Sequence, residues 1–401
     1  MDRRTLLKMA AIGAPVALGA VSAAGLARAA GADPLWAGVD AAAAKLLADQ
    51  ATPGLSISVL RKGQFIYSKG FGFANLETQT AATPQSIYPI GSITKQFTAA
   101  SVMQLADAGK LSVDDPLSKY FPDWPRGGEI TLRQLLTMTS GLNDFFDGPN
   151  SEKVLRAIRL DYNAEELYKL LLATNPLYIS PPGTVWSYNS TGYQLLGLIL
   201  QKLAGESYGA YFKKGVIARA GLADTAVDDT ADVVLRRASG YAWHKGEPGR
   251  WDNAHFFSRT YAGPAGSMRS TSEDLCRWHE ALLGGRVLSA ASLKEMITPN
   301  RLKSGALPVR APEPGDKGPP APVQYGFGVE VAVVDGRTTV GHVGHISGFT
   351  SVLLTFPDED VSIAMIANCD DSNPPLLVLL KAIIAAAVHA DFSRRTSVFY
   401  Q

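Results

Sequence analysis

The stretch GSITKQFTA, residues 91–99, places a serine at the start of a predicted helix and a lysine three residues later. Positions i and i+3 share one face of an α-helix, so the Ser92 hydroxyl can meet the Lys95 amine. A serine becomes a strong nucleophile when a neighbouring group takes its proton, and a buried lysine can do this. The alternative is that Ser92 simply caps the helix. Chance alone supplies about one Ser-x-x-Lys in a chain of this composition, so the surroundings decide.

Strands are predicted on both sides of this stretch, near the two ends of the chain. Residues 54–60 and 64–71 read as strands joined by a tight turn at 61–63. Strands return in the last part of the chain, where Asp335-Gly336 is a hairpin signal. The strands predicted there are 325–334, 338–342, 349–356 and 361–367.

Helices are predicted at both termini and throughout the middle. An amphipathic helix at 35–50 precedes the first strand, and an apolar helix at 375–389 ends the pattern. A helix at 92–108 follows the opening stretch, and residues 111–296 are mostly helical. The economical arrangement is an α+β fold: one antiparallel sheet built from both chain ends, flanked by helices, with a mostly helical insertion. We expect a sheet subdomain at about 35–90 and 323–401, a helical subdomain at about 91–322, and a site at their seam.

Three segments of the middle are predicted loops. The first two, 144–151 and 243–253, are polar but carry aromatic residues in or next to them, which could wall a substrate site or pack the loops onto the body. The third, 308–322, is proline-rich and is predicted to be a surface loop. The aromatic residues are Phe145, Phe146, Trp251, Phe256 and Phe257.

Residues 1–29 are predicted to be a twin-arginine signal peptide. Arg3-Arg4 precedes a weakly apolar stretch, and Ala27-Arg28-Ala29 is a small-x-small cleavage site. The alternative is an uncleaved membrane anchor, although the stretch is marginal in length for a span. Export by this route predicts a periplasmic protein, with residues 30–401 as the mature chain and no membrane span after removal of the leader.

Charge and cysteine content exclude some kinds of partner. The leader carries four basic residues and one acidic residue, so the overall charge of +1 becomes −2 for the remainder. That balance does not favour nucleic acid or an anionic surface as a partner. Cys276 and Cys369 are the only cysteines and lie in no metal-binding motif. We expect two buried thiols, with a disulfide between them left open.

The run at 88–122 around Ser92 resembles the serine β-lactamase-related family. This family includes class C β-lactamases, D,D-peptidases, D-aminopeptidases and some esterases. Four further segments match in order and cover nearly the whole mature chain. They are LLTMTSGL at 135–142, SPPGTVWSYNSTGYQLLGLIL at 180–200, GSMRSTSEDLCRW at 266–278, and YGFGVEV with GHVGHISGFTS within 325–351.

The resemblance implies a nucleophile at Ser92 and a proton acceptor at Lys95. The family's second motif, Tyr-x-Asn, implies that Tyr188 relays or accepts a proton. Here the chain reads Tyr188-Asn189-Ser190, so the asparagine is displaced by one position. Ser190 can form only some of the hydrogen bonds of an amide, and whether Asn189 or Ser190 binds substrate is left open.

The third family motif, Lys/His-x-Gly, falls at His342-Val343-Gly344. The resemblance implies that His342 assists Tyr188 and that Gly344 lets substrate lie close to the strand. It also implies that the backbone amides of Ser92 and His345 bind an oxyanion. His345 is alternatively a surface histidine. Histidine in place of lysine argues against an efficient β-lactamase, because it is mostly neutral near pH 7; Arg310 could compensate. A second His-x-Gly at 244–246 lies in a predicted loop and is set aside.

We therefore expect a periplasmic serine hydrolase that cleaves an ester or amide bond, of a β-lactam or D-amino-acid-peptide kind, through a Ser92 acyl-enzyme with Lys95 and Tyr188 as base. It would resemble an esterase or a D-alanyl-D-alanine carboxypeptidase. It needs no metal or organic cofactor, and its partner is a small molecule or a peptide. The alternative is a non-catalytic module with a decayed site that binds peptidoglycan or protein. The displaced asparagine motivates that alternative. The sequence predicts neither the substrate nor the oligomeric state.

Overall fold

The computed structural model describes residues 34–146, 156–244, 246–309, 322–370 and 373–389. The predicted leader, most of the proline-rich segment and Arg310 lie outside these residues. The strands are β1 Gly54–Arg61, β2 Gln64–Asn75, β3 Thr80–Ala81, β4 Tyr88–Pro89, β5 Ala226–Val227, β6 Tyr241–His244, β7 Glu247–Asn253, β8 Met268–Ser270, β9 Glu330–Val334, β10 Arg337–Ile346, β11 Phe349–Phe356 and β12 Val361–Ala367.

Helices occupy both ends and most of the middle of the described chain. A 3₁₀ turn, Gly91–Ile93, leads directly into the second helix. The helices are α1 Pro34–Ala48, α2 Thr94–Asp107, α3 Leu132–Leu136, α4 Ala164–Leu172, α5 Thr191–Ala204, α6 Tyr208–Phe212, α7 Ala218–Ala220, α8 Arg259–Gly266, α9 Ser272–Leu283, α10 Ala290–Met296 and α11 Asn373–Val388.

Both ends of the chain meet in a seven-stranded sheet, as the sequence predicts. Its order is β3-β2-β1-β12-β11-β10-β9, and the pairs are antiparallel. The junction of the two ends is β1 against β12, with Leu55 opposite Ala367 and Arg61 opposite Val361. Seven of the eight residues of β1 are buried, as expected for a central strand covered on both faces.

Separate hydrophobic clusters cover the two faces of the sheet. One cluster joins the sheet to the terminal helices α1 and α11, and Trp36 of α1 stacks on Tyr67 with ring centroids 4.6 Å apart. The other joins the opposite face to the helical middle, where Phe97 of α2 stacks on Trp278 of α9 at 4.0 Å. The sheet is thereby fixed between two helical layers, and α2, which follows Ser92, is anchored in the larger cluster.

Two predicted elements differ from the structure. The strand predicted at 325–334 begins only at Glu330, because the chain first bends at Gly328 to pass over α2. Gly328 has φ +69°, and a Cβ there would lie 2.7 Å from the carbonyl oxygen of Lys95. The loop predicted at 243–253 is instead part of the hairpin β6–β7, whose Gly246 adopts φ +76°. Glycine and proline in this segment obscure the strand pattern.

Cys276 and Cys369 are both buried and are not joined by a disulfide. The Cys276 thiol donates a hydrogen bond to the carbonyl oxygen of Ser58 at 3.3 Å and so ties α9 to β1. Within the described ranges, no helix has both the length and the apolar character required to cross a bilayer.

Candidate active site

Ser92 lies on a turn that is clamped against the sheet. The preceding Gly91 has φ +50°, and a Cβ there would lie 2.6 Å from the carbonyl oxygen of His345 in β10. Only glycine allows the turn to approach the strand this closely. The Ser351 hydroxyl of β11 donates to the carbonyl oxygen of Ile90 at 2.9 Å. These contacts hold the backbone of Ser92 beside that of His345.

Lys95 is buried one helical turn from Ser92, with its amine directed at the serine. Its Nζ donates to Ser92 Oγ at 3.1 Å and to the carbonyl oxygen of Ala265 at 2.9 Å. The Lys95 side chain is 1% exposed, and this burial lowers its pKa to about 7, while the charge of Asp144 acts in the opposite direction. Near pH 7 a substantial fraction of Lys95 is therefore neutral and able to accept the Ser92 proton.

The carbonyl that holds Lys95 comes from an irregular helix end. Gly263 interrupts α8 with non-helical dihedral angles, and a Cβ there would lie 2.2 Å from Gln194 Oε1. The last carbonyls of a helix lack partners within the helix. Here α2 supplies them, because the Thr98 hydroxyl donates to Pro264 O at 2.6 Å and Lys95 donates to Ala265 O.

Tyr188 packs against the same lysine from the other side. Lys95 Nζ lies 4.8 Å from the centroid of the Tyr188 ring, and Tyr188 lines the same cavity as Ser92. Burial raises the pKa of Tyr188 far above its usual value, and the charges of Asp144 and Glu330 add to the effect. Tyr188 is therefore a neutral phenol in the resting protein, suited to relay a proton rather than to begin as a phenolate.

These three residues meet in a cavity of about 270 Å³ between the helical part and β10. Phe146 and Phe257, two of the aromatic residues named from the sequence, contribute to its apolar wall. The lining comprises Ser92, Lys95, Asp144, Phe146, Tyr188, Ser190, Phe257, Ala262, Ala265, Gly266, His345 and Ile346.

The displaced second motif places Ser190, not Asn189, in the cavity wall. The Asn189 side chain is turned into the start of α5, where Nδ2 donates to Ser187 O at 2.9 Å and Oδ1 accepts from Gly192 N at 3.0 Å. Asn189 is 2% exposed and is not part of the lining. Ser190 lines the cavity, and its backbone N–H donates to Asp144 Oδ2 at 2.9 Å.

His342 lies behind the cavity, with both ring nitrogens engaged. Nδ1 donates to Val343 O at 2.6 Å, so Nε2 accepts from the Tyr325 hydroxyl at 3.0 Å. Burial, with the nearby charge of Lys95, lowers the pKa of His342 to about 3. The ring centroids of His342 and Tyr188 are 6.1 Å apart. His342 thus meets Tyr188 by ring packing, and its assistance to Tyr188 stays a prediction.

Gly344 and His345 occupy the strand next to the nucleophile. A Cβ at Gly344 would lie 2.1 Å from Ile90 O and 2.4 Å from Ser351 Oγ, so this glycine first of all lets β10 approach the turn before Ser92. The exposed His345 lines the cavity. The second His-x-Gly lies elsewhere: His244 pairs with Asp252 in the hairpin β6–β7.

In the part of the chain that the structure describes, no three or more His, Cys, Asp or Glu side chains lie together so that they could hold a metal ion.

The beta-lactamase family model matches residues 39–388. The chain belongs to the beta-lactamase family of serine hydrolases.

The curated relatives of this chain include penicillin-binding proteins. A penicillin-binding protein of Bacillus subtilis (strain 168) is 26% identical over 346 residues, which is 80% of this chain and 69% of that protein. Across three curated relatives, the matched part covers 58% to 69% of their length.

Solved structures of this family share the fold. The octameric penicillin-binding protein homologue from Pyrococcus abyssi has a TM-score of 0.73 and 26% identity, covering 88% of this chain and 77% of that one. D-amino acid amidase from Ochrobactrum anthropi SV3, complexed with L-phenylalanine amide, has a TM-score of 0.71 and 25% identity, covering 87% and 98%.

Sequence reasoning missed two parts of this beta-lactamase-family site. Asp144 marked only the start of a predicted loop, yet its carboxylate lines the cavity and acts on Lys95. Ala265 has no side-chain chemistry, but its carbonyl oxygen holds the Lys95 amine. A single acid after LLTMTSGL carries no motif, and a backbone carbonyl leaves no signal in a sequence.

Proposed function

We propose that this protein hydrolyses an ester or amide through an acyl-enzyme on Ser92. The observation that carries the proposal is the 3.1 Å hydrogen bond between Lys95 Nζ and Ser92 Oγ, with Lys95 buried. A lysine whose pKa is lowered to about 7 by burial can accept the serine proton at neutral pH, which an exposed lysine cannot.

In the acylation step, Ser92 Oγ bonds to the substrate carbonyl carbon and its proton moves to Lys95 Nζ. The resulting oxyanion faces the backbone amides of Ser92 and His345, whose residues the Gly91 turn holds together. Tyr188 accepts a proton from Lys95 and gives its own to the leaving nitrogen or oxygen. The bond from carbon to the leaving group then breaks.

In the deacylation step, a water oxygen bonds to the acyl carbon and one water proton moves to Lys95 Nζ. The bond between Ser92 Oγ and the acyl carbon breaks as Tyr188 gives its proton to Ser92 Oγ and takes one from Lys95. Each group ends in its starting state, so the chain's own residues complete the cycle.

The relatives support small amides or peptides as substrates. Structures similar to this one include a D-amino acid amidase and a D-stereospecific amidohydrolase. His342 differs from the lysine of class C β-lactamases and lies buried behind the cavity, so it offers substrate no positive charge. We therefore place an amide or ester ahead of a β-lactam as the substrate.

The test compares wild type with Ser92→Ala on a p-nitrophenyl ester, a penicillin and a D-Ala-D-Ala peptide. Ser101→Ala is the control, since Ser101 is a buried serine of α2, the helix that follows Ser92, and its hydroxyl has no hydrogen-bond partner among the described residues. We expect turnover that Ser92→Ala abolishes and Ser101→Ala keeps. Turnover that survives in Ser92→Ala would contradict Ser92 as the nucleophile. Binding of all three compounds without turnover would favour a non-catalytic module.

We also propose that residues 1–29 direct export to the periplasm. The support is the Arg3-Arg4 start and the Ala27-Arg28-Ala29 site. Cell fractionation of a chain with Arg3→Lys and Arg4→Lys should show the protein retained in the cytoplasm at full length. Unchanged export of this variant would contradict twin-arginine transport.

A further inference from the structure

We propose that Gln194 of α5 and Thr98 of α2 are positioning residues for the general base. From two neighbouring helices they hold the broken end of α8, so that the carbonyl group of Ala265 faces the amine of Lys95. Neither residue is among the described residues that line the cavity, and each acts on the reaction through Lys95. This inference rests on the proposed hydrolase function and names residues that set up the base of the same site.

The Gln194 amide is bonded to α8 immediately before its break. The side chain is fully buried in α5, and Nε2 donates to Tyr261 O at 2.9 Å and to Ala262 O at 3.0 Å. An amide nitrogen carries two hydrogens, so both are used. Oε1 is buried without a hydrogen-bond partner among the described residues. The two donated bonds are therefore the polar contacts that fix this side chain.

The break follows from two residues of α8 and from the shape of α5. Gly263 has φ +49° and ψ −149°, and Pro264, which follows it, has no N–H to continue the helix. A Cβ at Gly263 would overlap Gln194 Oε1, and a Cβ at Gly197 would overlap the Pro264 ring. Gln194 and Gly197 are three residues apart and share one face of α5. The break is therefore packed against this face.

Beyond the break, two carbonyl groups of α8 accept hydrogen bonds from α2. The Thr98 hydroxyl donates to Pro264 O at 2.6 Å, and Lys95 Nζ, three residues earlier, donates to Ala265 O at 2.9 Å. The same Nζ lies 3.1 Å from Ser92 Oγ. Because the two carbonyls belong to adjacent residues, the bond from Thr98 also restrains the direction of the carbonyl that accepts from Lys95.

The carbonyl group of Ala265 affects both the direction and the charge of the Lys95 amine. When Lys95 is neutral, one N–H can stay on Ala265 O while the lone pair faces the Ser92 hydroxyl. The carbonyl oxygen also stabilises the ammonium form more than the amine, which opposes the lowering of the Lys95 pKa by burial. If the end of α8 turns away, the base loses its orientation and its pKa falls further.

A purely structural role for Gln194 and Thr98 would be to join their helices to α8. Loss of such a bond lowers the thermal stability, but it leaves the midpoint of the pH profile of the folded enzyme unchanged. Positioning of Lys95 instead moves that midpoint. It also lowers kcat with little change in KM, because neither side chain is among the described cavity lining. The two roles therefore separate in a pH profile.

The experiment measures kcat and KM for p-nitrophenyl acetate between pH 5 and 9 in wild type, Gln194→Met and Thr98→Val. Each substitution removes the donors and keeps the approximate shape of the side chain. We expect kcat on the plateau to fall roughly tenfold to a hundredfold in Gln194→Met, the scale for a displaced catalytic group, and less in Thr98→Val. In both variants the midpoint of the rising limb of kcat/KM should move to lower pH, by roughly half a unit or more in Gln194→Met.

Gln104→Met is the matched control. Gln104 lies on α2, and its Nε2 donates to Val287 O at 3.2 Å, so this variant loses the same kind of bond without touching α8. It should keep the wild-type midpoint, whatever its thermal stability. The other titratable side chains that contact Lys95 or act on its charge are unchanged in all three variants; they are Asp144, Tyr188, Tyr193 and His342.

A midpoint that stays at the wild-type value in folded Gln194→Met and Thr98→Val, or that moves to higher pH, would overturn the proposal and leave a structural role. An equal shift in Gln104→Met would also overturn it, because that variant does not touch α8. If Gln194→Met fails to fold, the midpoint in Thr98→Val decides. Absence of Ser92-dependent turnover in wild type would instead overturn the proposed function, and this inference with it.

Discussion

The cavity has two sides that are built in different ways. We call the side with Ser92 and Lys95 the inner end of the cleft and the side with Asp144 and Phe257 its mouth. At the inner end, Ser92 and Lys95 lie on one turn and one helix, clamped by β10, β11 and the end of α8. At the mouth, Asp144 and Phe257 come from segments outside the helices and strands. The chemistry thus rests on rigid packing, while the contacts that select a substrate rest on connecting segments that can vary without disturbing the core.

Removing the inner amine should have the largest effect among the variants that retain the nucleophile. Lys95→Met should lower kcat/KM by roughly a thousandfold or more, because the general base that takes the Ser92 proton is lost. Lys202→Met, which removes an exposed lysine of α5, should leave kcat/KM near that of wild type. Steady-state kinetics with a p-nitrophenyl ester provides the measurement. A loss of less than tenfold in Lys95→Met would show that another group takes the proton.

The pH dependence of kcat/KM also tests Lys95 as the base. The pKa of Lys95 is lowered to about 7, and only its neutral form can accept a proton. In wild type, kcat/KM should therefore rise with pH up to about 7 and level off above it. A profile measured between pH 5 and 9 tests this. A rise that continues past pH 9 would mean that Lys95 keeps its charge in the free enzyme.

The phenol relay should contribute less than the base. Tyr188→Phe should lower kcat by roughly a hundredfold, within the usual range for loss of one proton-transfer group. Tyr193→Phe is the matched control, because its ring also faces Lys95 at 5.7 Å while its hydroxyl donates to Leu136 O. An amide substrate should suffer more than a p-nitrophenyl ester, since an amine leaving group needs the proton. Equal effects of both variants on both substrates would contradict the relay.

At the mouth, removal of an aromatic wall should affect binding rather than chemistry. Phe257→Ala should raise KM for a phenylalanine substrate by roughly tenfold, the usual scale for losing apolar contact in a pocket, with little change in kcat. The same variant should hydrolyse p-nitrophenyl acetate almost normally. A large fall in kcat on both substrates would show that the mouth and the inner end are not independent.

The smallest effect concerns stability in acid. Burial lowers the pKa of His342 to about 3, below the ordinary 6.5 expected on unfolding. Between these values the unfolded chain binds the proton and the folded chain does not, so stability rises with pH. Between pH 5 and pH 7, His342 should contribute a difference of about 2 kcal/mol in the free energy of unfolding. Urea unfolding of wild type and His342→Gln at both pH values measures this; the variant should lose that part of the pH dependence, and an unchanged dependence would contradict it.

The sequence predicts the inner end of the cleft better than its mouth. Helical spacing predicts that Ser92 and Lys95 meet, and the resemblance to the family implies that Tyr188 joins them; the structure brings Lys95 close to both. The sheet built from both chain ends is also confirmed, since alternation and turn signals mark its strands. Helical spacing and strand alternation are local patterns that can be recognised in a single sequence.

Other placements depend on tertiary contacts that local patterns do not encode. Asn189 turns into α5 because Ser187 O and Gly192 N bind its amide, which its position next to Tyr188 does not reveal. His342 turns toward Tyr325, seventeen residues earlier in the chain. Asp144 enters the cavity because a loop folds it onto the start of α5.

Mapping a covalent adduct tests the central claim most directly. Wild type, Ser92→Ala and Ser101→Ala are incubated with a fluorophosphonate, and intact-protein mass spectrometry is followed by peptide mapping. We predict one adduct per chain on the peptide that contains Ser92, present in wild type and Ser101→Ala and absent in Ser92→Ala. An adduct that forms equally on Ser92→Ala, or none on a folded wild-type protein that binds the same substrates, would contradict Ser92 as the nucleophile.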